Sequence, residues 1–488
     1  MVSNLKRLQG STSALAIIIL FSLCALTAPQ TPSCTIYLTP ANSIQEAIDD
    51  APANVTICLA PGTYEEHVRI SKSLTLRGEG ETSEDVIIHG AIEDAPTISI
   101  QCDEAIDVFV QNLSVSGELD EKNQGIDVGG EARVVITDVL TTDTSIGIAV
   151  GDSAHITVDG AIITHSESVG VFALGGGQAV LKHCSIIDNE MGIGMFDSPK
   201  MTIEDCTVTG NTQHGLLVAH FAEVSVSAST FAENGRDGID ALRSAQVEMK
   251  STTISGNNEM GLKAEGSTYV VLTDCTVSDN GLYGLAAGET AEVIVQDSTI
   301  ATNGRRGIIA KGDAQLTLRN CSVTGNDGVG IDIWESAEAS LFGCVISQNQ
   351  DYGVWLASSA YAFIEETTIS KNAFFGLMLE GTASANLINT TIENNKSDGI
   401  HLCNSVMLSL LNCRILLNRG YGIRLHLPEC MSTNYYANYH YMGDVVGPNN
   451  GNIIPGPDEY GGNHLGDVCP PYLDVFKRKN DARQKSSP

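Results

Sequence analysis

The sequence predicts an all-β chain, a single-stranded right-handed parallel β-helix (solenoid) with a helical cap at its N-terminal end and a loop cap at its C-terminal end. Three observations predict it. Fourteen glycines (Gly125, Gly147, Gly170, Gly192, Gly215, Gly238, Gly261, Gly284, Gly307, Gly330, Gly353, Gly376, Gly399 and Gly422) recur every 22 or 23 residues, each followed by Ile, Leu or Val. Between them lie short alternating segments such as Leu216-Leu-Val, Glu223-Val-Ser-Val-Ser and Thr230-Phe-Ala, too short for helices and patterned for strands. An asparagine stands four residues before the glycine in ten successive repeats, from Asn211 to Asn418. A unit of this length cannot bury its apolar face alone, whereas parallel units stacked at about 4.8 Å per step bury a continuous core.

Taken in chain order, residues 1–28 have the pattern of an export signal: Lys6 and Arg7, then an apolar run from Ala14 to Leu26 too short to span a membrane comfortably. A secreted, periplasmic or cell-surface location follows, with membrane contact expected only if this segment stays uncleaved. Residues 29–98 hold the N-terminal cap and first coils. Within them Ser43-Ile-Gln-Glu46 has the pattern of a capping box opening a short amphipathic helix. Residues 99–428 carry the repeats, 429–476 a loop-rich cap in which the repeat is lost, and 477–488 a basic tail that reads as disordered.

Two columns set the register. The asparagines suit a left-handed turn, and stacked amides hydrogen-bond from coil to coil. Nine residues before each glycine stand Cys206, Ser229, Thr252, Cys275, Ser298, Cys321, Cys344, Thr367, Thr390 and Cys413, with Cys184 in a shorter coil. Free exchange among Cys, Ser and Thr points to small, inward, stacked residues and away from metal ligation. The cysteines at the ends differ: Cys34 with Cys58, and Cys430 with Cys469, bracket the first and last folded segments and suit end-clamping disulfides in an oxidising compartment.

The passage Ala60-Pro-Gly-Thr-Tyr-Glu-Glu-His-Val-Arg-Ile70, followed by Ser73-Leu-Thr-Leu-Arg-Gly78, resembles the opening of right-handed β-helix proteins of the pectate-lyase-like superfamily. The likeness is nearest to pectin methylesterases and to the periplasmic β-helix proteins of nitrous oxide reductase maturation. The resemblance implies the fold and not a reaction. The Gln-Asp-Thr-Leu and Asp-Phe-Ile-Phe-Gly segments that supply the catalytic aspartates of pectin methylesterases do not occur here. A copper-handling role finds no compact ligand spacing in His214, His220, His401 and His426.

The chain carries 27 Lys and Arg against 59 Asp and Glu, a net charge of −32. Nucleic acid is excluded as a partner, because a phosphate backbone needs a basic footprint. If residues one and three after each glycine face inward, residue two faces solvent, and this column brings chemistry outside. It places Asp240 and Lys263 beside His214, Arg236 and Asp237, an acid, a base and a carboxylate over three coils, so Asp237, Asp240 and Lys263 are the catalytic candidates. With the neighbouring outward positions it also gathers Trp334, Tyr352, Trp355, Phe374, Phe375 and Tyr421, rings repeated at coil steps that suit stacking against sugars.

Two function classes follow. The first is an exported protein that binds a polysaccharide or cell-surface glycan along this face and, if an enzyme, acts as a lyase or hydrolase. The second is a non-catalytic, adhesin-like rod, favoured by ten unbroken 23-residue spacings from Gly192 to Gly422 that leave no loop to enclose a site. No cofactor or metal ligand set is assigned, calcium alone being left open, and the chain is expected to be a monomer.

Overall fold

The computed structural model describes residues 33–90, 95–117 and 123–425, together with the strand Val468–Cys469. Short strands follow one another from Ile36 to Leu425 and pair in parallel, building a β-solenoid of about 17 turns. From Leu216 onward each coil holds three strands, for example Leu216–His220, Glu223–Ser227 and Thr230–Ala232, each paired residue for residue with its counterpart one coil later. One sheet carries the strands that follow the glycines, and it gains a further strand where Val468–Cys469 pairs with Ile423–Leu425.

Period-two alternation places Val224 and Val226, then Val247 and Met249, then Val270 and Leu272 in the interior. The core is one continuous column of Ile, Leu, Val and Ala, in which Tyr64 and Phe231 are the bulky exceptions. Each fully buried Leu, Ile or Val contributes about 1.5–3 kcal/mol, so stability accumulates coil by coil.

The glycine posts are not turn residues. None has a left-handed φ; from Gly125 to Gly399 each sits where a side chain would collide with the next coil. At Gly261 a Cβ would lie 2.5 Å from Val277 Cγ1, 2.7 Å from Asn280 Nδ2 and 2.7 Å from the carbonyl oxygen of Gly284. The left-handed corners fall elsewhere and accept many residue types, such as Asp274, Glu233, Lys371 and Leu417.

The asparagines also differ from expectation. They form the ladder but are not themselves left-handed; the residue just before each is, as at Glu233 before Asn234 and Asp279 before Asn280. Asn280 Nδ2 donates to Asn303 Oδ1 at 3.0 Å and to the Ile254 carbonyl at 3.3 Å, while Asn303 Oδ1 also accepts the Asn280 backbone N–H at 3.1 Å. This pattern runs from Asn189 to Asn418, one coil further than the sequence spacing indicated. Each buried amide is satisfied by its neighbours.

The cysteine column is buried as expected and includes Cys184. Ser and Thr substitute because their hydroxyls accept the amide of the preceding coil, as from Cys206 N–H to Ser229 Oγ at 3.0 Å and from Cys344 N–H to Thr367 Oγ1 at 3.2 Å.

The helix Ile44–Asp50 buries Ile44 and Ile48 against the first coils. Its capping box is only half of the expected one. Ser43 Oγ accepts the Glu46 N–H, but the carboxylate that completes the cap belongs to Glu66, which accepts from Ile44 N–H at 2.6 Å, Gln45 N–H at 3.2 Å and Ser43 Oγ at 3.0 Å. The Gly-Thr-Tyr-Glu-Glu passage thereby anchors the helix to the coils, with the Tyr64 hydroxyl meeting the Leu38 and Ala60 carbonyls. Cys34, just before the strand Ile36–Leu38, forms a disulfide with Cys58 in the strand Val55–Leu59. Cys430 and most of the expected C-terminal cap lie outside the described residues, as do residues 1–28.

Candidate functional site

The glycine-following sheet presents two outward columns: the residue before each glycine and the residue two after it. Pairing keeps both in register, so Asp240 lies beside Lys263, Asp332 beside Trp355, and His401 between Met378 and Arg424. The second column points outward yet is not uniformly solvent-exposed. Asp240, Asp332, Met378 and His401 are buried, which corrects the simple alternation expected from sequence. At coil spacing, bulky neighbours such as Lys263, Trp334 and Phe375 lie over the shorter groups between them.

The first cluster joins the catalytic candidates to a histidine. His214 Nδ1 is 3.5 Å from Asp237 Oδ2, His214 Nε2 is 4.0 Å from Asp240 Oδ2, and Lys263 Nζ is 3.7 Å from Asp240 Oδ1. Asp237 Oδ1 accepts the Met260 N–H at 2.9 Å, which fixes the carboxylate. Burial lowers the His214 pKa to about 4, helped by the positive charges of Arg236 and Lys263. Burial pushes Asp237 up to about 6 against the pull of the Met260 N–H, and raises Asp240 against the pull of Lys263. Arg236 does not close on the carboxylates; it points outward and pairs with Glu259.

The second cluster is aromatic. Trp334 and Trp355 pack edge to face with centroids 4.9 Å apart, and Tyr352 meets Trp355 in the same way. Tyr352, Phe375 and His401 form a parallel stack, at 5.3 Å and then 4.3 Å. The rings thus occupy one another's faces and do not form the open platform expected from their spacing, because parallel strands bring outward rings to stacking distance. What remains accessible is the half-buried flank of Trp334, Trp355 and Tyr352 and the exposed ring of Phe374. Tyr421 lies further along, with the Arg424 guanidinium 4.5 Å over its ring.

Two buried carboxylates escaped the sequence reading of this region as a site. Asp332 takes an ion pair from Arg306 and the indole N–H of Trp334, and burial still pushes it up to about 6. Asp398 joins His401 Nδ1 at 2.9 Å, Arg424 Nε at 3.2 Å and the Tyr421 N–H at 2.8 Å. Arg306 and Asp398 precede glycines, so reading that column beside the outward one is the signal that would have found them. A shallow depression of about 330 Å³, lined by Gln178, Lys200, Glu223 and Gln246 among others, lies on a different face. Among the described residues no helix is long and apolar enough to cross a membrane.

Comparison with solved structures finds similar chains at low identity. The Vag8–C1 inhibitor complex gives a TM-score of 0.51 at 12% identity, covering 76% of this chain and 95% of that one. The A-module of the Azotobacter vinelandii mannuronan C-5 epimerase AlgE6 gives 0.37 at 17% identity, covering 79% and 91%. The pectate lyase Pel9A gives 0.37 at 12% identity, covering 54% and 76%. No curated protein matches the sequence. The model of the right-handed β-helix region matches residues 96–242, 192–342 and 330–441. With most of its length so matched, and with the parallel coils described above, the chain belongs to the right-handed β-helix family.

Proposed function

We propose that the chain is an exported protein that binds a polysaccharide lengthwise along the face that follows its glycines. The observation that carries this reading is the aromatic group Trp334, Tyr352, Trp355, Phe374 and Phe375 on the outward side of a thin solenoid. Phe374 is 47% exposed, and the others are half-buried. Contiguous apolar surface of this kind marks an interaction site, and aromatic flanks suit the apolar faces of sugar rings. The polar cluster around Asp240 sits four register steps before Asp332, about 19 Å along the axis, so a ligand meeting both regions is a polymer.

Affinity electrophoresis and calorimetry against neutral and acidic polysaccharides, with and without calcium, test the reading. Binding to at least one polymer is expected, weakened by Phe374→Ala and Trp355→Ala with the far-UV circular dichroism unchanged. Absence of binding across the panel, or equal binding by both variants, overturns it.

The second reading is a non-catalytic, adhesin-like rod, favoured by the uninterrupted coils from Gly192 to Gly422. Release of reducing or unsaturated ends from a bound polymer, lost in Asp240→Ala, refutes the rod.

A further inference from the structure

The cluster His214, Asp237 and Asp240 holds more unsatisfied polarity than a structural role explains. All three side chains are more than nine-tenths buried. His214 Nδ1 and Asp240 Oδ1 have no hydrogen-bond partner. Buried polar groups in native proteins are nearly always paired, and two orphaned atoms within one small cluster point to a missing partner.

We propose that His214, Asp237 and Asp240 form a binding site for one divalent transition-metal ion of the zinc or manganese type. One ligand atom from each residue lies within 4.8 Å of the other two. Metal–ligand bonds of about 2.0–2.2 Å set neighbouring donors about 3.4 Å apart, so His214 Nδ1 and Asp237 Oδ2 at 3.5 Å already stand at coordination spacing. Asp240 supplies the third donor within that 4.8 Å spacing. One imidazole nitrogen with two carboxylate oxygens suits zinc, manganese or ferrous iron better than magnesium or calcium, which favour oxygen alone.

The surroundings agree. Asp237 Oδ1 is held by the Met260 N–H, the kind of outer hydrogen bond that orients a ligating carboxylate and leaves Oδ2 free for the metal. The cation that faces the site is Lys263, and it has an alternative partner in Glu265 at 3.1 Å, so it can leave Asp240 without losing its ion pair. Arg236 is engaged by Glu259. The three residues come from two adjacent coils, so binding also ties one coil to the next. The coil register brings His214 and Asp237 together although they are 23 residues apart, a spacing unlike that of compact metal-ligand motifs.

The inference does not rest on the polysaccharide reading and is tested without any glycan. The full chain is stripped with chelator and titrated separately with zinc, manganese, magnesium and calcium, by calorimetry and by metal analysis after dialysis. One equivalent of zinc or manganese is expected to bind. Affinity should fall by about a hundredfold or more in Asp240→Asn and in His214→Ala. Cobalt loaded into the site should give visible d–d absorption that both variants lose. Lys263→Ala should tighten binding, since it removes the competing cation, an effect that a merely structural cluster would not produce. Failure to bind either metal stoichiometrically, or unchanged affinity in folded Asp240→Asn, overturns the proposal, as does unchanged affinity in Lys263→Ala.

Discussion

Gly261→Ala tests why the glycine ladder exists. A methyl at Gly261 would lie 2.5 Å from Val277 Cγ1, 2.7 Å from Asn280 Nδ2 and 2.7 Å from the Gly284 carbonyl oxygen. Each approach is well inside van der Waals contact, and two of the three partners have no freedom to yield. The Gly284 carbonyl accepts the Leu262 N–H at 3.0 Å, and the Asn280 amide is part of the buried ladder. Overpacking costs about 1–3 kcal/mol, and disturbing one ladder bond adds about 1 kcal/mol. The stiffer unfolded chain offsets about 0.4–1 kcal/mol of this. A net loss of about 2–3 kcal/mol is expected, localised to the coils around residues 261–284.

Gly151 supplies the control. A Cβ there meets nothing within 4 Å, and its φ is not left-handed, so Gly151→Ala should leave stability unchanged or raise it by about 0.4–1 kcal/mol. Urea unfolding followed by far-UV circular dichroism ranks the variants. Hydrogen exchange at the amides of Leu262 and Leu285 shows whether the damage is local, which matters because a solenoid need not unfold in one step. Equal stability of the two variants would refute the close-packing account of the repeat.

Three further outcomes follow from the same contacts. Asn303→Ala orphans the Asn280 N–H, takes one of two acceptors from Asn280 Nδ2 and one donor from Asn326 Oδ1, so a loss of about 2–6 kcal/mol in urea unfolding is expected, larger than for any exposed asparagine. Arg306→Ala leaves the fully buried Asp332 carboxylate without its cation and should cost about 3–5 kcal/mol, most of it recovered in the double variant carrying Asp332→Asn, as thermal melts would report. In metal-free protein Asp237 has a folded pKa of about 6, above its ordinary 3.8, so the folded state holds the proton more tightly. Its contribution is therefore fully present below pH 3.8 and lost as pH rises through 6; the stability of Asp237→Asn relative to the parent should improve by about 3 kcal/mol between those limits, measured by urea titration at each pH.

The architecture was legible because a solenoid writes its register into the chain. Gly215, Gly238 and Gly261 repeat at the pitch of the coil, and the Asn and Cys columns fall at fixed offsets from them. What the repeat did not reveal was the reason for each column. The glycines serve contact between coils and the corners take residues as varied as Lys371 and Leu417, because any side chain at a solvent-facing corner meets little resistance beyond its own backbone. Glu66, and not Glu46, completes the helix cap, since the partner that reaches the helix N-terminus is chosen by how the next strand passes it.

The candidate sites divide in the same way. Sequence spacing placed Asp237, Asp240 and Lys263 together, and Trp334 with Tyr352, Trp355 and Phe375, because residues one repeat apart are neighbours along the axis. Burial was beyond it. Only the packed coils show that Asp240 and Asp332 lie beneath larger neighbours and that Tyr352, Phe375 and His401 consume one another's faces. They also show that His214 turns toward two carboxylates with an unpaired nitrogen. Periodicity determines which residues share a column, since backbone pairing repeats with the chain. How deep each lies, and what it touches, depends on the size and direction of side chains from adjacent columns, which no single period encodes.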